Sequence, residues 1–353
     1  MSLHTPLKGR GTASNPHNRF AAQHVVVVDD GWAQELPVVS CVTEVRNETA
    51  KSIITRNQSP DLPFDRSLNP YRGCEHGCVY CYARPSHAYW DMSPGLDFET
   101  RLIAKTNSAE LLAKELSRPG YVCAPINLGA NTDPYQPVER QYELTRDVLK
   151  VLLDYRHPVT IVTKGSLILR DLDLLSELAQ QNLVSVMISL TTLDDDLKRI
   201  LEPRAAAPAA RLRAIRVLHE HRVPVGVLCA PMIPMINDRE LEHLLEAAQD
   251  AGAASAHYIL LRLPREVAPL FEAWLQAHFP QRAEHVLSLI RQSRAGELYD
   301  SSFGKRFTGE GAFAELLSKR FALAAKRLGL HRGEAFNLDC SKFCPPGSQL
   351  SLL

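Results

Sequence analysis

Short apolar, β-rich runs recur through the middle of the chain, at Ile126–Leu128, Val159–Val162, Val184–Leu190, Val223–Leu228 and Tyr258–Leu261. Between them the apolar positions switch to helical spacing. Leu144, Val148, Leu149 and Leu152 form one stripe; Leu172, Leu175 and Leu178 a second; Leu212, Ile215 and Leu218 a third; Leu241, Leu244, Leu245 and Ala248 a fourth. Arg211, Arg213 and Arg216 lie off the face of the third stripe. Near-continuous apolar strands alternating with amphipathic helices predict an α/β fold whose parallel sheet is covered on both faces. A further strand near Asn69–Gly73 brings the number of βα units to six, too few for a closed eight-fold barrel. An open, partial (β/α)6 barrel is expected over residues 61–290. Residues 1–60, broken by Gly, Pro and Asn with one strand-like run at Val25–Val28, predict an irregular extension that wraps this core. Residues 291–353 predict helix to about position 330 and then an extended tail. In such folds ligands collect at the C-terminal ends of the strands.

Composition narrows the class. Across 353 residues, 45% hydrophobic and 23% charged content is enough apolar material for a substantial core. The formal net charge of zero gives no global argument for a nucleic-acid or membrane partner. No apolar run is long enough to span a bilayer. The first 28 residues lack Asp and Glu, yet they hold prolines and glycines and no sustained apolar segment, so no targeting signal is read there. Eight cysteines without a disulfide-like framework fit a reducing, cytoplasmic setting.

Three of those cysteines stand in Asn69-Pro-Tyr-Arg-Gly-Cys74-Glu-His-Gly-Cys78-Val-Tyr-Cys81-Tyr82. The spacing C-x₃-C-x₂-C lets each thiolate hold one iron of a [4Fe–4S] cluster and leaves the fourth iron without a protein ligand. An open iron suits chemistry, whereas a fully ligated cluster only carries electrons. A structural zinc is an alternative, with a fourth ligand from His76, Cys41, Cys123, Cys229, Cys340 or Cys344. So are an iron–sulfur electron carrier or redox sensor, and a zinc-stabilised nucleic-acid-binding module. The predicted strand ends carry polar groups that fit a ligand. Gly129-Ala-Asn131-Thr132-Asp133-Pro-Tyr-Gln-Pro137 follows one strand, Lys164 ends the next, and Ser189 the one after. Asp133 also reads as a helix cap and Lys164 as a snorkelling side chain. Asp194, Asp195 and Asp196 read as a helix start, and Arg204 as either an anion contact or a solvated charge.

The cysteine motif with aromatic Tyr80 resembles that of the radical SAM superfamily, in which S-adenosylmethionine (SAM) chelates the free iron. Asn69–Ala83, together with Ser59-Pro60-Asp61, the Asn131–Pro137 loop, Glu202–Ala205 and Ala230-Pro-Met-Ile-Pro234, looks like its spore photoproduct lyase branch. That resemblance implies a partial (β/α)6 core and reductive cleavage of SAM to a 5′-deoxyadenosyl radical that abstracts hydrogen. It also implies SAM contacts from Tyr80, Tyr82, Asn131, Thr132, Asp133, Lys164 and Ser189, and a reductant such as flavodoxin or ferredoxin. The substrate is left open, a nucleic-acid lesion being one candidate. One departure stands out: the lyase carries a hydrogen-donating cysteine on the loop after the second strand, where this chain has Ala130-Asn-Thr-Asp133. Cys229 is an alternative donor and equally a core hydrophobe.

Two features sit outside the core. Residues 291–332 hold nine Lys/Arg against four Asp/Glu, with Phe303, Phe307 and Phe321 interleaved, a pattern that suits either phosphate contact or a solvated helix face. Cys340 and Cys344 read as auxiliary cluster ligands or as incidental thiols. Gln349-Leu-Ser-Leu-Leu353 resembles the Q-L-x-L-F pentapeptide by which bacterial polymerases and repair proteins dock on the sliding clamp, with Leu353 in place of Phe. Folding back of its leucines onto the protein's own surface is the other reading. A peptide of residues 344–353 is expected to bind purified clamp and to lose binding when Gln349 and Leu352 become Ala. Silence at millimolar concentration removes the clamp assignment.

Overall fold

The computed structural model describes residues 7–21, 42–330 and 337–347. The strands are β1 (Glu44–Glu48), β2 (Ile54–Arg56), β3 (Arg66–Leu68), β4 (Tyr71–Arg72), β5 (Arg101–Lys105), β6 (Ile126–Leu128), β7 (Val159–Thr163), β8 (Val184–Ser189), β9 (Val225–Met232) and β10 (Ser255–Leu260). The helices are α1 (Asp97–Thr100), α2 (Ser108–Leu116), α3 (Glu139–Tyr142), α4 (Leu144–Asp154), α5 (Leu172–Gln180), α6 (Asp195–Leu201), α7 (Pro208–Glu220), α8 (Leu241–Asp250), α9 (Val267–His278), α10 (Ala283–Gln292) and α11 (Gly311–Arg327).

The larger sheet has the order β10-β9-β8-β7-β6-β3-β2. From β3 to β10 every pairing is parallel, and β2 closes one edge antiparallel. One register row shows why these residues make this sheet. Leu68 faces Leu128, Leu128 faces Ile161, Ile161 faces Val186, and Val186 faces Val225, all of them buried. Branched side chains buried on both faces are what a parallel sheet under helices requires. The apolar stripes of α4, α5, α7 and α8 close over it in the same core cluster. Six parallel strands in sequence order give the open (β/α)6 arrangement.

Four expectations need correction. The strand entering the cysteine loop is Arg66–Leu68, not Asn69–Gly73. Pro70 cannot donate to a ladder, so the chain leaves the large sheet there, and Tyr71-Arg72 pairs instead with Ile103 and Ala104 of β5. Residues 42–60 contribute two strands, β1 pairing parallel to β5 in the small β1-β5-β4 sheet; Val25–Val28 lies outside the described residues. Arg211, off the apolar stripe of α7, is nonetheless buried, because Glu202 meets it inside the molecule. The helices beyond position 290 are interrupted by an irregular stretch from 293 to 310.

Residues 7–21 form an arm laid over the cysteine loop. The Gly11 and Thr12 amides donate to the Glu99 carboxylate at 2.9 and 3.1 Å, Arg10 donates to the Glu99 carbonyl at 2.9 Å, and Arg19 pairs with Glu266 at 2.8 Å. Gly11 packs so closely that a Cβ built there would overlap the Gly77 carbonyl oxygen and crowd the Val79 amide. Both neighbours are backbone and cannot swing away. Gly11→Ala is expected to cost roughly 1–3 kcal/mol by overpacking and to lower retention of the metal group. Unchanged denaturant midpoints and iron content would show that the arm is not anchored this way.

Candidate metal centre and active site

Cys74, Cys78 and Cys81 lie on one loop, the first two buried and the third half-buried. Burial foremost, then the Asp133 charge and the other two thiols, pushes the Cys74 thiol well up. Cations work in the other direction: Lys164 and Arg211 favour the Cys78 thiolate, and Arg84 and Lys164 that of Cys81, although burial dominates at both. A bound metal deprotonates such thiols outright.

The loop is held by groups far from it in sequence. Arg84, with no exposed surface, donates to the Cys78 carbonyl at 2.9 and 2.8 Å, to the Gly95 carbonyl at 2.9 Å and to Glu99 at 2.5 Å. Gly77 turns the chain at φ +67°, and a Cβ there would press on the Glu99 carboxylate. Gln136 bridges the loop, accepting from the Glu75 amide at 2.9 Å and donating to the Gly73 carbonyl at 3.2 Å. Asn69 accepts from the Asn131 and Thr132 amides at 3.0 and 3.2 Å, and the Thr132 hydroxyl donates to the Tyr71 carbonyl. The cysteine motif and the Asn131–Pro137 loop therefore brace each other.

At the strand ends, Lys164 Nζ donates to Ser189 Oγ at 2.6 Å, lies 3.8 Å from Glu202 and sits 6.0 Å from the centre of the Tyr80 ring. The Tyr80 hydroxyl donates to Glu202, which also meets the Thr191 hydroxyl at 2.6 Å and pairs with Arg211. Burial would raise the Glu202 carboxyl, but the Arg211 and Lys164 charges and these hydrogen bonds outweigh it and bring it to about 2. Asp133 follows the same logic. Burial opposes its charge, yet the His76 ring, the Thr163 hydroxyl and the Lys164 amide bring it to about 2. Tyr82, 47% exposed, donates from its hydroxyl to the Ala130 carbonyl. Thus Tyr80, Lys164 and Ser189 form one group and Asn131, Thr132 and Asp133 the adjoining wall.

Sequence reasoning missed Glu202 and Arg211 as a hub, and it missed Arg262. That arginine, just beyond β10, lies 5.4 Å from the Tyr82 ring centre, 5.8 Å from that of Tyr299 and 4.8 Å from that of Phe307. An arginine after the sixth strand was the available signal. Of the basic pairs in the last segment, Arg306 binds Asp61, Arg320 binds Glu242 and Arg327 binds Glu246, so those charges are engaged within the chain. Cys229 is fully buried in the main core, its thiol pushed up to about 12 by burial. Cys340 comes beside Cys123, on the segment leading into β6 and so at the opposite end of the strands; Gln349–Leu353 lies outside the described residues.

Among the described residues, no three His, Cys, Asp or Glu side chains converge as the ligands of one metal ion. The family model for the radical SAM superfamily matches residues 68–248. An uncharacterized protein of Mycobacterium tuberculosis is 37% identical over 291 residues, covering 78% of this chain and 86% of its own length. One from Methanocaldococcus jannaschii is 26% identical over 242 residues, covering 68% and 86%. Among solved structures, a cysteine-to-serine mutant of spore photoproduct lyase superposes with a TM-score of 0.59 at 14% identity, covering 80% of this chain and 79% of that one. A double mutant of the same lyase, with bound AdoMet and dinucleoside spore photoproduct, gives 0.54 at 15% identity over 77% and 76%.

The chain belongs to the radical SAM superfamily. It is an enzyme of SAM-dependent radical chemistry, with a [4Fe–4S] cluster and SAM as its cofactors. Among the described residues no helix is long and apolar enough to cross a membrane.

The Glu202–Arg211 pair is a buried charge couple, so removing one partner strands the other. Glu202→Leu is expected to cost about 3–5 kcal/mol in urea denaturation, with much of it regained in Glu202→Leu/Arg211→Met. A single-variant loss under about 1 kcal/mol would remove Glu202 from this role.

Proposed function

We propose that the enzyme acts on a lesion or modified nucleotide in a nucleic acid. The observation that carries this reading is the mouth of the barrel, where Arg262 stands among the Tyr82, Tyr299 and Phe307 rings. Aromatic faces take up unstacked bases and a guanidinium grips phosphate. The fold shared with spore photoproduct lyase supports the same reading, since one solved form of that enzyme holds a dinucleoside photoproduct.

Cys74, Cys78 and Cys81 would hold the cluster, and the open iron would take SAM. Bound together, these groups supply a one-electron cleavage that yields a hydrogen-abstracting radical. Lys164 and Ser189 would meet the SAM carboxylate or ribose, their polar atoms already 2.6 Å apart. Tyr80 would line the same chamber, and Tyr82, anchored at Ala130, would form its rim beside Asn131. Thr132 and Asp133 serve as positioning residues, because the carboxylate of Asp133 is taken up by Thr163, Lys164, His76 and the Tyr135 amide. With no cysteine at 130–133 and Cys229 in the core, hydrogen return runs differently from the lyase relay. A cytoplasmic flavodoxin or ferredoxin would supply the electron, and Gln349–Leu353 would tether the enzyme to the sliding clamp.

Reduced enzyme is expected to convert SAM to 5′-deoxyadenosine, with turnover lost in Cys74→Ala, Cys78→Ala and Cys81→Ala. Lys164→Met should raise the KM for SAM at least about tenfold through loss of a charge-assisted bond. Oligonucleotides bearing deuterium-labelled lesions should pass label into 5′-deoxyadenosine. SAM cleavage that never acquires label from any nucleic acid would sink the substrate reading and leave the enzyme class intact.

A further inference from the structure

On the outer side of the cysteine loop lies a cavity of about 490 Å³, with His76, Tyr135, Arg140, Ser166, Arg170 and Arg204 in its wall. Three arginines line it and no Asp or Glu does. Two of the three are set in place from behind. Arg170 is held by buried Glu139 at 2.7 Å and buried Asp171 at 2.8 Å, and Arg204 by buried Glu75 at 3.1 Å. Arg140 is exposed and has no ion-pair partner among the described residues. The cavity includes none of the residues assigned above to SAM or to the substrate mouth.

Its position relative to the cluster thiols matters most. His76 lies between Cys74 and Cys78 in the chain, its carbonyl accepting from the Arg204 amide at 3.2 Å and its ring held 3.3 Å from Asp133. Tyr82, just past Cys81, faces the mouth instead. The loop thus has two sides, one turned to the substrate mouth and one to the arginine cavity. The cluster must be reduced from outside before it can cleave SAM, and electron tunnelling falls steeply with distance. The donor must therefore seat where the thiol loop approaches the surface without occupying the mouth. The carboxylates behind Arg170 (Glu139, Asp171 and, at 3.8 Å, Glu143) and Arg204 (Glu75) fix those guanidinium groups and offset their charge. Arg140, unpaired among the described residues, is therefore the group left to attract a negatively charged partner to this hollow. Duplex DNA presents rows of phosphates along its axis and calls for an extended basic stripe, whereas these cations converge on a single hollow.

We propose that this three-arginine cavity is the docking site of a small acidic electron-donor protein, which delivers its electron to the cluster across the His76 segment. One electron leaves the donor's flavin or iron–sulfur group, which is oxidised, and the enzyme's cluster is reduced by it. No covalent bond forms or breaks, and no proton has to move. The proposal rests on a cluster at Cys74, Cys78 and Cys81, so the iron content and visible absorbance of each preparation are measured first. Those readings separate failure of the cluster assignment from failure of the docking site.

The experiment is stopped-flow bleaching of the cluster-loaded, full-length enzyme by flavodoxin hydroquinone and by reduced [2Fe–2S] ferredoxin, with dithionite as a reductant that needs no docking. Arg140→Glu should slow reduction by at least one of the proteins about tenfold or more at low salt and flatten its salt dependence. Dithionite reduction, cluster absorbance and Tm should stay as in the wild type, and Arg140→Lys should keep most of the rate. Equal rates for wild type and Arg140→Glu with both donor proteins would overturn the proposal. So would a slowing that dithionite shares, or a variant that loses duplex DNA affinity while keeping its donor rates, which would make the cavity a phosphate site.

Discussion

The cysteine loop can present three thiols only because a guanidinium without exposed surface holds its backbone. Arg84 spans from the Cys78 carbonyl to the Gly95 carbonyl and ends on Glu99, the face of Phe98 lying 5.3 Å away. A buried arginine is costly unless charge and geometry are both answered, and here the carboxylate answers the charge and the carbonyls the remaining N–H groups. Glu99 in turn receives the Gly11 and Thr12 amides. Loop, short helix α1 and N-terminal arm are therefore one mechanical unit.

A second buried carboxylate organises the other side of the chamber. Glu202 gathers Tyr80 from the cysteine loop, Thr191 from the end of β8, Arg211 from α7 and the ammonium of Lys164 from the end of β7. Arg211 also donates to the Ser189 carbonyl at 2.9 Å. The ends of β7 and β8 are thus tied to one charge. That preorganisation keeps Lys164 aimed inward instead of extended into water, as an ammonium on a flexible stem would otherwise prefer.

The strands were legible wherever burial on both faces left an uninterrupted apolar run, as in Val184–Ser189, and the helices wherever one stripe met the sheet. Arg66–Leu68 was not, because its polar residues are satisfied inside: Arg66 donates to Asp65 at 2.8 Å and to the Val122 carbonyl at 2.7 Å. Hydropathy sees two polar residues and no strand. Arg211 was hidden for the same reason, since its partner Glu202 lies outside α7 and helical periodicity carries no sign of it. The three cysteines were legible because ligand spacing is local chemistry. Their supports were not, since Asn69 to Asn131 and Gly73 to Gln136 are pairings between segments some sixty residues apart. Of the strand-end residues, Lys164 and Ser189 could be placed from the strand pattern alone. The commitment of Asp133 to its neighbours could not.

The arm over the cysteine loop has a consequence for how the chain is made. Gly11 and Thr12 bind a carboxylate 88 and 87 positions downstream. Synthesis proceeds from the N-terminus, so the arm leaves the ribosome long before Glu99 exists to receive it. The arm finds its place only after the segment that receives it has been made. Contacts of such wide sequence separation carry a large loop-closure cost and form late in folding. Until Glu99 is in place, nothing fixes the arm across the thiol loop.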